Sequence, residues 1–135
     1  MLGKRLKHGE FWTNSFLRLA KKGTGKWKRA VHEYWDVKGK KGRINSPLLH
    51  YSHPTLHEFI AEVDWYSSLH SESNLKEKKK SDIFKIMLYP KLKFINNWII
   101  KGGFLDGIEG FVAALMMSLH SFLAWSKQWI KQQEK

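Results

Sequence analysis

The hydrophobic pattern changes character at Pro54. Beyond it, Leu56, Phe59, Ile60, Val63, Tyr66 and Leu69 recur at helical spacing and share one face, with Pro54 and Thr55 suited to the helix start. The stretch 71–80, SESNLKEKKK, is polar and charged and reads as a hinge. A second helix is predicted through Phe84, Met87, Leu88 and Tyr89, with Pro90 expected to kink or interrupt it. Apolar residues resume at Leu92, Phe94, Ile95, Trp98, Ile99 and Ile100, and Gly102-Gly103 is a stop signal. Between Gly110 and Ser126 no side chain is charged, and Phe111, Val112, Leu115, Met116, Met117, Leu119, Phe122, Leu123 and Trp125 cover most of a helix circumference. Such a helix is buried in protein or in lipid. Crossing a bilayer takes about 20 predominantly apolar residues. This run is shorter and contains Ser118, His120 and Ser121, so over 108–130 the expectation is a helix lying in the interface or a core helix packed on the preceding two. Trp125 and Trp129 beside Lys127 and Lys131 suit a headgroup boundary.

Upstream the pattern is shorter in period. Residues 14–20, NSFLRLA, are too few and too mixed to define an element, and Gly23 and Gly25 end them. Residues 30–37, AVHEYWDV, are aromatic and β-branched, residues 38–42 form a basic turn, and 44–51 carry a second apolar run in which Pro47 favours an edge position. The expected fold class is therefore α+β and mostly helical: a small β-hairpin followed by three helical segments, the last apolar. Residues 1–53 and 54–135 form its two parts.

The chain has 135 residues, of which 42% are hydrophobic, and no cysteine. That length suits one domain or a piece of one, and the apolar fraction excludes a disordered tail. Disulfides and cysteine-based metal sites are excluded outright. Residues 1–10 carry charge without an apolar core, so no secretory signal is expected and a cytosolic setting follows. Charge changes the picture more. Residues 1–50 hold 13 Lys+Arg against 3 acids, and residues 51–135 hold 11 against 9. The basic half attracts phosphate in nucleic acid, lipid headgroups or a phosphorylated substrate.

Candidate chemistry is sparse. His50, His53 and His57 could ligate a divalent metal if the backbone turned them inward, although surface or capping roles are the commoner outcome at this spacing. No metal site is assigned on that basis. His32-Glu33 falls in the expected first hairpin strand, where alternation sends the two side chains to opposite faces. Glu33 could act as a general base in a pocket, or simply pair with a nearby lysine. In Gly102-Gly103-Phe104-Leu105-Asp106-Gly107 the glycines permit positive φ, and Asp106 is placed to cap the next helix. No phosphate-binding loop or dinucleotide fingerprint is present.

Taken in order, Leu2-Gly3-Lys4-Arg5, Phe16-Leu17-Arg18-Leu19, Val31-His32-Glu33, Pro47-Leu48-Leu49-His50-Tyr51-Ser52-His53, Gly103-Phe104-Leu105-Asp106-Gly107 and Gly110-Phe111 resemble the C-terminal half of family 2 glycosyltransferases of the lipopolysaccharide-core β-glucosyltransferase type. The resemblance covers nearly the whole chain. It implies the acceptor-side part of a nucleotide-diphospho-sugar-binding GT-A domain, residues 1–53, plus C-terminal membrane-associating helices, residues 54–135. The Asp-x-Asp motif that holds the donor and its Mg²⁺ or Mn²⁺ lies upstream in that family, so a fragment or a split enzyme is expected.

On the same resemblance Glu33 becomes the base that deprotonates the acceptor hydroxyl. His32 belongs to the same substrate-binding motif, His50 lies near the metal or diphosphate, and Arg18 positions a phosphate or carboxylate. Relatives often carry Pro-Asp shortly before the Arg-Leu pair, and here Thr13-Asn14 stands in its place. The implied partners are a nucleotide-sugar donor of the UDP-hexose kind, a glycolipid acceptor, the inner face of the cytoplasmic membrane, and either a second copy or a companion chain bearing the N-terminal half.

The alternative from another class is a nucleic-acid module, with Lys4, Arg5, Lys7, Lys26, Lys28 and Arg29 on phosphates and Trp12, Trp27 and Trp35 stacking on bases. The nearly charge-free terminal helix and the absence of a binding motif argue against it.

Overall fold

The computed structural model of the chain describes residues 3–11, 17–28, 34–46 and 53–134. Two short antiparallel strands, β1 (Gly25–Lys28) and β2 (Tyr34–Val37), precede three long helices, α1 (Leu56–Lys76), α2 (Ile83–Ile95) and α3 (Gly107–Gln133). Single turns of 3-10 helix occur at Gly9–Phe11 and Gly103–Asp106, and a π turn, Asn96–Ile100, extends α2.

The hairpin exists, but its arms differ from the expected ones. Residues 34–37 form the second arm, paired with 25–28, and the described part of the 44–51 run, residues 44–46, is exposed and outside any strand. Cross-strand chemistry accounts for this choice. Trp27 sits opposite Trp35 with ring centroids 5.6 Å apart, and Lys28 reaches Asp36 at 2.6 Å. Gly25 is required beside this pair, because a Cβ there would fall 2.5 Å from the Asp36 carbonyl oxygen and 2.8 Å from Trp35 Nε1.

In α1, Thr55 caps the first turn by accepting the Glu58 N–H at 3.2 Å. Its buried seam is Phe59, Val63, Ser67, Ser71 and Asn74, whereas Leu56, Ile60 and Tyr66, expected on the buried face, are exposed. The seam thus rotates away from the most apolar line and turns polar toward its C-terminus. It carries α1 through Ser71 and Asn74 to Lys76, shortening the expected hinge.

Helix α3 lies between the other two. Contacts climb α1 and α3 in the same sense: Phe59 and Val63 pack with Met116, His70 stacks on His120 at 5.5 Å, and Asn74 donates to Gln128 at 3.1 Å. Buried Ala113, Ala114 and Ala124 permit close approach. Helix α2 runs the opposite way, with Ser81 Oγ donating to the Trp125 carbonyl at one end and Phe94 edge-on to Phe111 at the other. Pro90 does not interrupt α2. It lies buried inside the helix, and its carbonyl accepts the Ser118 hydroxyl at 2.8 Å, so α3 supports the turn that proline weakens. The expected stop holds: Gly102 adopts φ 68°, a left-handed conformation that ends the π turn.

The segment Gly103–Gln133 is long and apolar enough to cross or associate with a membrane by length and composition. Its C-terminal end nonetheless faces protein. Lys127 Nζ lies 2.6 Å from Asp64 Oδ1 and 2.9 Å from Ser67 Oγ, and Lys131 pairs with Glu72 at 3.0 Å. Trp125 is half-buried, edge-on to Tyr89, with Lys85 Nζ 5.4 Å from its ring centre. Trp125, Lys127 and Lys131, expected at a headgroup boundary, thus also make contacts to α1 and α2. Trp129 alone of the four stays largely exposed.

Candidate functional site

The feature that organises the described residues is a clasp between the N-terminal segment and the turn joining α2 to α3. After the π turn, Gly102 and Gly103 send the backbone back across α2, and the 3-10 turn delivers Asp106 to the head of α3. Gly103 admits no larger residue, since a Cβ would stand 2.5 Å from the Asn97 carbonyl oxygen. A Cβ at Gly110 would collide with the Gly103 carbonyl. The turn is thus held at van der Waals contact by two glycines seven residues apart.

Asp106 was expected to cap α3, and it makes no such bond. Its carboxylate instead faces the N-terminal segment. Oδ2 accepts the backbone N–H groups of Lys7 at 3.0 Å and His8 at 2.8 Å, and Oδ1 lies 3.1 Å from His8 Nδ1. The side chain is 6% exposed. Burial alone would raise its pKa, but the His8 ring and the His8 and Lys7 amides outweigh this and hold it below the usual aspartate range.

Two flanking contacts extend the clasp. Lys4 Nζ donates to the Asp106 carbonyl and pairs with Glu109, both at 3.0 Å. The Gly9 N–H donates to the Lys101 carbonyl at 3.0 Å, at a φ of 70° that favours glycine. Glu10 lies 3.0 Å from Lys93 Nζ and 3.7 Å from Lys101 Nζ. Burial works to raise its pKa, and Lys93, Lys101 and the Asn97 amide more than offset that, so its carboxyl is also held low. Around this point Trp98 stacks near Phe94 and meets Phe111 and Phe104 edge-on.

The clasp joins two of the motifs on which the resemblance rests. Lys4-Arg5 and Gly103-Phe104-Leu105-Asp106-Gly107 are brought together through Lys4 and Asp106, which lie 102 positions apart. The carboxylates of the clasp are engaged by N–H groups and lysines. Sequence reasoning assigned Asp106 a local role and missed His8, Glu10 and Lys93. No local signal in the sequence marks these partners, which lie 83 to 99 positions apart.

Of the sequence-predicted site residues, Arg18 is exposed in the segment between the 3-10 turn and β1. Glu33, His32 and His50 lie outside the described residues. Glu33 immediately precedes Tyr34 in the sequence, and the pairing of Tyr34 with Lys28 opens β2. Among the other histidines, His53 stacks on Phe59 at 4.0 Å and lies 3.2 Å from Glu62, while His57 is exposed on the first turn of α1. Among the described residues no three His, Asp or Glu side chains converge as metal ligands. The described residues do not themselves fit the divalent cation the resemblance implies.

The chain resembles lipopolysaccharide-core glycosyltransferases. It is 26% identical over 114 residues to the lipopolysaccharide core biosynthesis glycosyltransferase LpsC of Rhizobium meliloti, a match covering 82% of this chain and 42% of that protein. An uncharacterized glycosyltransferase of Rickettsia conorii is 25% identical over 92 residues, covering 68% of this chain and 33% of that protein. One from Rickettsia felis is 26% identical over 92 residues, covering 68% and 32%. The chain spans less than half the length of these curated relatives. No family model and no solved structure matches it. These likenesses give the nucleic-acid alternative no support, and Trp27 and Trp35, two of its three proposed stacking residues, stack on each other.

Proposed function

We propose that this chain is the acceptor-side segment of a GT-A glycosyltransferase of family 2, moving a hexose from a nucleotide-sugar to a sugar hydroxyl of a lipid-linked or lipopolysaccharide-core acceptor. The observation that carries the reading is the likeness to LpsC over 82% of the chain. The clasp supports it, since two of the motifs behind the resemblance meet in space.

In this reading Glu33 takes the proton of the acceptor hydroxyl as that oxygen bonds to the anomeric carbon. The carbon–oxygen bond to the nucleoside diphosphate breaks, and the diphosphate leaves with the electron pair. One carboxylate base is sufficient for such a displacement, which inverts the anomeric centre. His32, His50 and Arg18 hold the substrates, and the exposed lysines around the hairpin attract diphosphate or anionic lipid. The donor-binding half, with its divalent cation, belongs to a companion polypeptide or to sequence beyond this chain, and the segment alone is inactive. In the same reading the helical part, residues 54–135, associates with the inner face of the cytoplasmic membrane, which the length and apolar character of α3 support.

The test is donor binding and transfer by this chain fused to, or mixed with, the N-terminal half of a relative such as LpsC, using UDP-glucose with Mn²⁺ or Mg²⁺. Transfer that a Glu33→Gln change reduces by about 10²-fold or more, with donor affinity retained, supports the base role. Absence of both donor binding and transfer in every pairing overturns the reading.

A further inference from the structure

The turn between α2 and α3 presents an arrangement unusual for a connection. Loops at the ends of helices are ordinarily polar, because they meet water. Here Ile100 is 73% exposed, Leu105 62% and Ile108 79%, with Ile99 and Phe104 also more than half exposed. These side chains project from a backbone that cannot relax to hide them, since Gly103 and Gly110 lock the turn and Asp106 ties it to residues 7 and 8.

The same tie lays the basic segment Lys4 to Lys7 beside the apolar tip. Among the described residues the nearby acids are engaged: Glu10 with Lys93 and Lys101, Asp106 with the His8 and Lys7 amides, and Glu109 with Lys4. The outward charges left at this collar are the exposed side chains of Arg5 and Lys7. An apolar convex tip with a cationic collar complements a bilayer containing anionic lipid, where apolar side chains enter the acyl boundary and cations stay at the headgroups. Among the described residues, a protein partner would instead be offered a patch without an outward acid.

We infer that the α2–α3 turn, through Ile100, Leu105 and Ile108 with Arg5 and Lys7 beside them, is the element that inserts into an anionic membrane surface. This deepens the membrane-face part of the proposed function and rests on it. It places the lipid contact at the N-terminal end of α3, opposite the end that carries Trp125, Lys127 and Lys131. The contact also gives the clasp a purpose: it couples the depth of insertion to the N-terminal segment, which leads into the part proposed to bind substrate.

The chain has no cysteine, so a single introduced thiol can be labelled uniquely. An environment-sensitive fluorophore on Leu105→Cys is expected to shift to the blue on addition of phosphatidylcholine vesicles containing phosphatidylglycerol, while the same label on Ala61→Cys, exposed on α1, stays aqueous. Ile108→Ser should lower partitioning to those vesicles about tenfold without changing helical circular dichroism. Arg5→Glu should weaken binding to the anionic vesicles at low salt and leave the weaker binding to pure phosphatidylcholine unchanged.

A wild-type chain that floats with vesicles while the Leu105 label remains aqueous, or while Ile108→Ser floats equally well, overturns the inference and leaves the membrane-face reading standing. A wild-type chain that does not float overturns both. A blue shift that needs no vesicles and grows with protein concentration assigns the tip to contacts between copies of the chain, and overturns the inference as well.

Discussion

The Asn74 side-chain amide donates to Gln128 Oε1 at 3.1 Å, and both residues are buried. Gln128 Nε2 continues the path to the Lys79 carbonyl at 2.7 Å, so one side chain on α3 fixes both the last turns of α1 and the link toward α2. Each end of this bond has lost its water and relies on the other.

Asn74→Ala should therefore cost about 2–3 kcal/mol, since it leaves the Gln128 carbonyl oxygen without its partner and opens a small void. The double change Asn74→Leu with Gln128→Leu should cost less than the two single leucine changes added together, because no half-satisfied amide remains. Urea unfolding of the four proteins in a mutant cycle measures the coupling, and additive effects would contradict it.

The clasp predicts an acid-sensitive N-terminus. Asp106 and Glu10 have folded-state pKa values below their unfolded ones. Their stabilisation is fully present above the ordinary carboxylate range and is lost as pH falls through the lowered values. The Lys7 and His8 amides should be protected from hydrogen exchange at neutral pH and lose that protection in acid, before the α1–α3 core unfolds. Asp106→Asn keeps one acceptor oxygen but removes the charge. It should cost about 1–3 kcal/mol at neutral pH and flatten the acid limb of the stability curve. An unchanged acid limb in this variant would show that other groups carry it.

The three helices were legible because their apolar residues recur with helical period and their boundaries carry local chemistry, Thr55 at the head of α1 and Gly102 after α2. The buried face of α1 was less legible. Packing on α3 selects the line Phe59, Val63, Ser67, Ser71, Asn74, and a line that turns polar halfway is invisible to a search for apolar stripes. The hairpin was found with the wrong arms because β-propensity alone does not choose partners. The Trp27–Trp35 stack and the Lys28–Asp36 pair do, and neither depends on residues 44–51. Asp106 illustrates a further limit. Its partners lie 98 and 99 positions away, and no local pattern marks a carboxylate that caps another segment's amides. The chemistry proposed for Glu33 came from resemblance, because a lone carboxylate carries no signature of its own.

Gly110 offers a test of the turn that needs no ligand. A methyl group there would enter the Gly103 carbonyl and crowd Asp106 Cβ at 2.9 Å, displacing the turn from α3. Gly110→Ala should lower stability by about 2 kcal/mol despite its better helix propensity. Gly42→Ala, with no atom within 4 Å of the new Cβ, should be close to neutral. Thermal melts of the two variants side by side decide the matter, and a stabilised Gly110→Ala protein would refute the close approach.

The last prediction concerns the hairpin, whose two four-residue strands are too few to be stable by backbone pairing alone. The Trp27 and Trp35 rings, 5.6 Å apart and inclined by 14°, supply about 1 kcal/mol beyond their burial. Stacked indoles at this distance couple their electronic transitions, so the wild-type circular dichroism should contain an exciton couplet that both Trp27→Ala and Trp35→Ala abolish. Glu33 directly precedes β2 in the sequence, so in the proposed reading loss of the stack should reach the base. In a fused, transfer-competent enzyme Trp27→Ala should then reduce turnover severalfold while leaving donor affinity and the melting of the helical part unchanged. A variant that loses the couplet and keeps full turnover would separate the hairpin from the position of the proposed base.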